Sequence, residues 1–225
     1  MKLFTTAIAA AALMTAADAK GFNGFYAGAD IGMSNLNPNI KVKNRTSVSD
    51  SVNINGHALS PVFGIYTGYS KAFSNCLTGA FEVGGDFNFD RTKTFGRARG
   101  GKYTVQKSTF NWNLVAKLGY LLTPKSQIFA GVGVKSLKNN FKYIEDGATP
   151  SPFSVKNRGV RPTYQLGLEN LIANDTVAVK LAYAFTQGSK KSKVIDANDS
   201  VFTGVVNVRT RADEHQVKLG ISYRF

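Results

Sequence analysis

The chain has 225 residues, 43% of them hydrophobic, with 22 glycines, 6 prolines and a formal net charge of +14. That composition suits one folded domain and excludes disordered and collagen-like chains. Beyond the extreme N-terminus no run of 18 uncharged apolar residues occurs, so no helical membrane span is expected, and the large positive excess points to an anionic partner such as nucleic acid, lipid head groups or polyanionic sugar.

Residues 1–19, MKLFTTAIAAAALMTAADA, read as a secretory signal peptide. Lys2 supplies the positive start, Leu3 to Met14 the apolar run, and Ala17-Asp18-Ala19 the small residues of a cleavage site. The mature chain then starts at Lys20 and leaves the cytoplasm, which argues against nucleic acid as the partner. From there on apolar residues recur with period two, and helical periodicity is nearly absent. The first predicted strand is 24–34, with Phe25, Ala27, Ala29, Ile31 and Met33 on its apolar face. Strands at 59–70, 78–90 and 109–122 follow, the last carrying Phe110, Trp112, Leu114, Ala116, Leu118 and Tyr120. Then come 127–135, 160–169 and 176–185. The eighth starts near Val208 and ends in VKLGISYRF, with Val217, Leu219, Ile221, Tyr223 and Phe225 on one face.

The connections alternate in length. Long ones are predicted at 35–58, 91–108, 136–159 and 186–207, and short ones at 72–76, 123–126 and 170–175. Loops sorted by length to opposite ends are the mark of an up-and-down outer-membrane barrel. The polar face supports lipid outside. Of Gly28, Gly32, Gly64, Gly68, Gly84, Gly85, Gly119, Gly131, Gly133, Gly167 and Gly220 it holds all but Gly85, as the narrow inside of an eight-stranded barrel requires. It also holds Asp30, Glu82, Asp86, Asp90 and Glu169 against Lys117, Lys135, Lys180, Lys218 and Arg224, a balanced set that suits a buried lumen. The apolar face carries aromatics at both strand ends, as lipid-facing barrels do. The predicted fold is therefore all-β, an eight-stranded antiparallel up-and-down transmembrane β-barrel over residues 20–225, with four long extracellular loops.

With GFYAGADIG after the signal peptide and KLGISYRF at the C-terminus, the chain resembles the small outer-membrane barrels of Gram-negative bacteria. This is the opacity-protein and OmpA-like group, often labelled porin-family outer membrane proteins. The resemblance implies that Phe225, with Tyr223 and Ile221 behind it, is read by the barrel-assembly machinery. It implies the cell outer membrane as location and adhesin, structural or narrow-channel roles. No peptidoglycan-binding domain follows the barrel, so tethering of the envelope by that route is not expected.

Catalytic chemistry is weakly represented. His57 stands near Ser60, and His215 beside Glu214 and Asp213, but neither forms a nucleophile–base–orienter set. Gly84-Gly85 and Gly100-Gly101 precede no helix and are not phosphate loops. The lone Cys76 permits no intramolecular disulfide and no Cys/His metal spacing, so neither enzyme activity nor a cofactor is expected. The charge excess lies almost entirely in the long connections. Residues 91–108 hold Arg91, Lys93, Arg97, Arg99, Lys102 and Lys107 with no acid. This segment is the candidate polyanion-binding loop, with Phe95 and Tyr103 flanking it. The expected partners are outer-membrane lipid and lipopolysaccharide, the assembly machinery and host-surface polyanions. The expected role is structural and surface-interacting, adhesin-like; a narrow channel for ions or small solutes is the alternative that the charged lumen leaves open.

Overall fold

The computed structural model describes residues 21–44, 51–73, 76–89, 92–98, 101–145, 153–173, 175–199 and 202–225. Eight long strands form the barrel: β1 (Gly24–Asn44), β3 (Ala58–Ala72), β4 (Leu77–Asn88), β7 (Phe110–Thr123), β8 (Ser126–Glu145), β9 (Phe153–Ile172), β10 (Val177–Thr186) and β12 (Phe202–Arg224). Four shorter strands, β2 (Ser51–Asn55), β5 (Thr92–Ala98), β6 (Gly101–Lys107) and β11 (Lys191–Asp199), lie in the long connections. Each barrel strand pairs antiparallel with its neighbour in the chain. The last strand then pairs with the first, from Tyr26↔Arg224 to Asn44↔Val206, which closes the sheet. Closure removes both sheet edges, the condition for a β-structure to cross lipid.

Within the lipid band the alternation works as the sequence predicts. Ile31, Met33, Leu118, Val132, Leu166, Leu181, Leu219 and Ile221 are exposed on the outer surface. Aromatic pairs ring both ends. Phe25 meets Tyr69 edge-on at 4.9 Å near the short turns, and Phe87 meets Phe110 at 5.1 Å near the long connections. Phe110 lies over Gly85 on the outer face, where a Cβ would strike its ring, as a Cβ at the outward Gly79 would strike the ring of Phe73.

The long connections differ from the expectation. They are predicted as loops, yet strands run through much of them. The reason is a change of phase. In β1 the outward Ile31 and Met33 are apolar, whereas farther along the inward Leu36, Ile40 and Val42 are apolar and buried and the outward Lys41 and Lys43 are exposed. Period two continues, but its apolar half moves from the lipid side to the inside, because the outside is now water.

Here the barrel divides into two four-stranded sheets, β2-β1-β12-β11 and β5-β6-β8-β9. Prolines stand at both divisions. Phe89 donates its backbone N–H to the carbonyl of Pro61, and Gln187 donates to that of Pro162. Neither proline can return a bond, so the ladder stops and the next strand leaves its neighbour. The two sheets face each other across a core of Leu36, Ile40, Val42, Ile54, Ala58, Val208 and Ala212 from one side and Tyr103, Val105, Phe141 and Val155 from the other. A small β-sandwich thus stands on the barrel.

Candidate functional site

The lumen is built from the glycines upward. A side chain at Gly68 would collide with the Tyr26 ring, one at Gly28 with the Tyr66 ring, and one at Gly64 with the Asp30 carboxylate. The glycines are therefore the space into which large inward side chains lie. Three tiers of polar contacts follow from the short-turn end. In the first, Arg224 donates to Glu169 at 2.8 Å and to Ser70 Oγ at 2.8 Å, and Gln127 joins Glu169 to Thr78. In the second, Glu82 accepts from Tyr26 at 3.3 Å and from Lys117 and Lys180, the latter also 3.4 Å over the Tyr66 ring. In the third, Lys218 bridges Asp30 and Asp86, and Lys135 bridges Asp86 at 2.7 Å and Glu214 at 2.8 Å.

Nine of the ten lumen residues read from the sequence take part: Asp30, Glu82, Asp86, Glu169, Lys117, Lys135, Lys180, Lys218 and Arg224. Asp90 lies outside the described residues. Two further charges enter that the sequence reading placed elsewhere. Glu214, which the sequence sets beside His215, is buried, and Ser34 Oγ donates to it at 2.7 Å. Lys107 was assigned to the polyanion-binding loop; it is buried, and its ammonium donates to Ser60 Oγ at 2.8 Å and to Ser34. The signal was present in both cases. Glu214 is in phase with Lys218, and Lys107 with the inward Tyr103 and Val105.

Of the remaining loop cations, Lys93 and Lys102 are the two whose side chains are described. Arg91 and Arg99 lie outside the described residues, as does the side chain of Arg97. Lys93 is opposite Val105, on the side that faces the sandwich core, while Lys102 is opposite Arg97. Phe95's side chain is likewise undescribed, and Tyr103, expected to flank the loop, is fully buried in that core. Exposed cations stand on other strands of the long-loop end: Lys41 and Lys43 on β1, Lys138 on β8, Lys156 and Arg158 on β9, Lys191 and Lys193 on β11, and Arg209 on β12.

Above the charge tiers the sandwich core fills the interior. Small voids lie in the charged lumen, one of about 20 Å³ lined by Asp30, Tyr66, Glu82, Asp86, Lys180 and Lys218 among others and one of about 10 Å³ beside Lys117, Glu169 and Arg224. Each has room for about one water. His215 lies on the outer face, its Nδ1 2.6 Å from the Tyr183 hydroxyl, and His57 Nδ1 is 2.9 Å from Asn37 Oδ1. At the C-terminus Ile221 and Tyr223 are exposed to lipid, and Phe225 donates its N–H to the Phe25 carbonyl at 2.9 Å.

Among solved structures, the outer membrane protein OprG from Pseudomonas aeruginosa is similar at 14% identity and TM-score 0.56, over 92% of this chain and 99% of that one. Neisserial surface protein A matches at 14% identity and TM-score 0.43, over 90% and 97%. Ail of Yersinia pestis, solved in complex with the heparin analogue sucrose octasulfate, matches at 12% identity and TM-score 0.36, over 87% and 99%. A comparison with curated proteins gives no significant match. The family model of the OmpA-like transmembrane domain matches residues 20–225. With a closed eight-stranded barrel, a lipid-facing outer surface and a polar lumen already in view, the chain belongs to the OmpA-like transmembrane domain family and is a small β-barrel of the Gram-negative outer membrane.

Proposed function

We propose that the protein is a surface-interaction protein whose long-loop end faces outward and meets anionic partners. The observation that carries this reading is the one-sided placement of charge. The lumen cations lie among buried acids, while most of the described exposed cations stand at the long-loop end, with Lys71 and Lys125 at the short-turn end. Basic groups near an anionic surface each contribute about 1 kcal/mol and act within a Debye length, so a broad basic rim gives salt-sensitive attraction without a shaped pocket. A filled interior supports the same reading against a channel, because a water-sized void offers no continuous path.

The test has two arms. The folded barrel is expected to bind heparin and lipopolysaccharide at low salt and to lose most of that binding at high salt. In planar bilayers it is expected to stay silent. Steady single-channel openings that change when Lys117 or Asp86 is neutralised, together with absence of polyanion binding, would overturn the proposal in favour of a narrow channel.

A further inference from the structure

The outer surface of the sheet β2-β1-β12-β11 carries an arrangement that the fold itself does not require. Lys41 of β1 stands directly opposite Arg209 of β12. Asn53 of β2 continues the row on one side and Ser192 of β11 on the other. All four are exposed. One row nearer the membrane, Asn55, Asn39 and Arg211 stand in line, and the Asn39 amide donates to Asn53 and Asn55. Beyond the first row, Lys43 is opposite Asn207. Among the described side chains the acid on this face is Asp213, which is held by Arg211 and by the N–H of Gly188; the side chain of Asp196 lies outside the described residues. Among the described residues Lys41, Lys43 and Arg209 make no ion pair.

Like charges directly opposite in an antiparallel pair are about 5 Å apart at Cβ and weaken the sheet. A negative residue at either position would remove that repulsion. An anion placed between the two cations would remove it as well and would make the pair a binding element. The asparagines and Ser192 around it supply amide and hydroxyl groups that match sugar hydroxyls. Position narrows the ligand further. The last outward apolar pair of these two strands is Met33 and Val217. Lys41 is eight residues beyond Met33, about 26 Å along the strand and about 20 Å above the lipid band at a typical tilt of about 40°. Lipid A phosphates lie at the membrane interface, well below that height, and a saccharide chain reaches it.

We propose that this face of the sheet is a binding surface for an anionic oligosaccharide, with Lys41 and Arg209 clamping a phosphate, sulfate or carboxylate and the neighbouring amides holding the sugar. The inference rests on the surface-interaction reading and moves its site from the 91–107 hairpin to the β1–β12 ladder. The same chemistry is offered by the membrane's own core oligosaccharide and by sulfated glycans of another cell.

The experiment uses the full barrel folded in nanodiscs. Two probes are titrated: a lipid-free phosphorylated core oligosaccharide and a heparin octasaccharide. The variant Lys41→Gln/Arg209→Gln is expected to bind at least about tenfold more weakly than wild type while melting no lower, since a repulsion has been removed. Lys71→Gln/Lys125→Gln, the same charge loss at the short-turn end, is expected to bind as wild type. Binding of the core oligosaccharide alone identifies the cell's own sugar as the ligand; binding of heparin alone identifies a foreign glycan. If the Lys41/Arg209 variant binds as wild type while a hairpin variant (Arg91, Lys93, Arg97, Arg99 and Lys102 to Gln) loses binding, the inference fails and the surface-interaction reading stands. Loss of thermal stability in the Lys41/Arg209 variant also overturns the inference, because the pair is then structural. If wild type binds neither probe, both fall together.

Discussion

Glu82 and Asp86 look alike in sequence, two lumen acids two pleat repeats apart on β4, but their surroundings separate them. Both lysines that reach Glu82, Lys117 and Lys180, have it as their only ion-pair partner among the described residues. The two that reach Asp86 each have a second acid, Glu214 for Lys135 and Asp30 for Lys218. Leaving a buried charge unpaired costs about 3–5 kcal/mol, whereas losing one of two charged hydrogen bonds costs about 1.5–3 kcal/mol. Glu82→Gln is therefore expected to destabilise the barrel more than Asp86→Asn. Urea unfolding in lipid vesicles, followed by the fluorescence of the single tryptophan, Trp112 on the lipid face, measures both. Equal losses would mean that the second acids do not compensate. Gly68 gives a steric counterpart. An added Cβ would lie 2.5 Å from the Phe81 carbonyl oxygen and 2.6 Å from the Tyr26 ring and hydroxyl, so Gly68→Ala is expected to cost about 1–3 kcal/mol by overpacking in the same assay.

At the scale of elements, the strands below and above the two seam prolines have different supports. The lower halves are held by lipid and by the closed ladder, the upper halves by a sandwich core of buried residues. Phe141 is fully buried in that core, and truncating such a ring costs about 3–5 kcal/mol. Phe141→Ala is expected to raise amide exchange in β2, β5, β6 and β11 while leaving β3, β4, β7 and β10 protected, a pattern that exchange mass spectrometry resolves. Uniform loosening would show that barrel and sandwich open as one unit. The last strand supplies another prediction. Phe225 bonds to Phe25 of β1 and packs on Tyr223 at 5.2 Å, so it sits where the barrel closes. Deleting it is expected to lower the yield of assembled barrel in cells, read as the heat-modifiable fraction on gels.

The molecule as a whole is a lipid-embedded barrel with an inverted upper story. Its outside is apolar below and basic above; its inside is charged below and apolar above. Such a closed ladder resists detergent at room temperature, so unboiled and boiled samples are expected to run at different positions on gels; a single position, together with solubility without detergent, would contradict the lipid-embedded barrel. The stacking also bears on transport. A solute passing through would have to part the charged tiers and then the sandwich core, which is why silence in bilayers is the expected result even for variants of a single lumen residue.

The alternation of residues 24–34 or 217–225 was enough to establish strands and their faces, because period two is a local property of the chain; lipid outside followed from the loop lengths and from what the polar face holds. The sorting of glycines and charges to one face was legible for the same reason, and most of the lumen set followed from it. What the tertiary structure alone decided is which charges meet. Ser34 and Glu214 are 180 positions apart, Lys218 and Asp86 are 132 apart, and the pairing of such residues depends on register and tilt around the whole barrel. The upper sandwich went unread because its apolar positions change phase at the end of the lipid band: the outward face of β1 passes from Ile31 and Met33 to Lys41 and Lys43, so the segment looks like a polar loop. Lys107 and Glu214 were misplaced with it. Which side of a strand is buried depends on the medium outside it, and that boundary is set by where the folded barrel sits in the membrane.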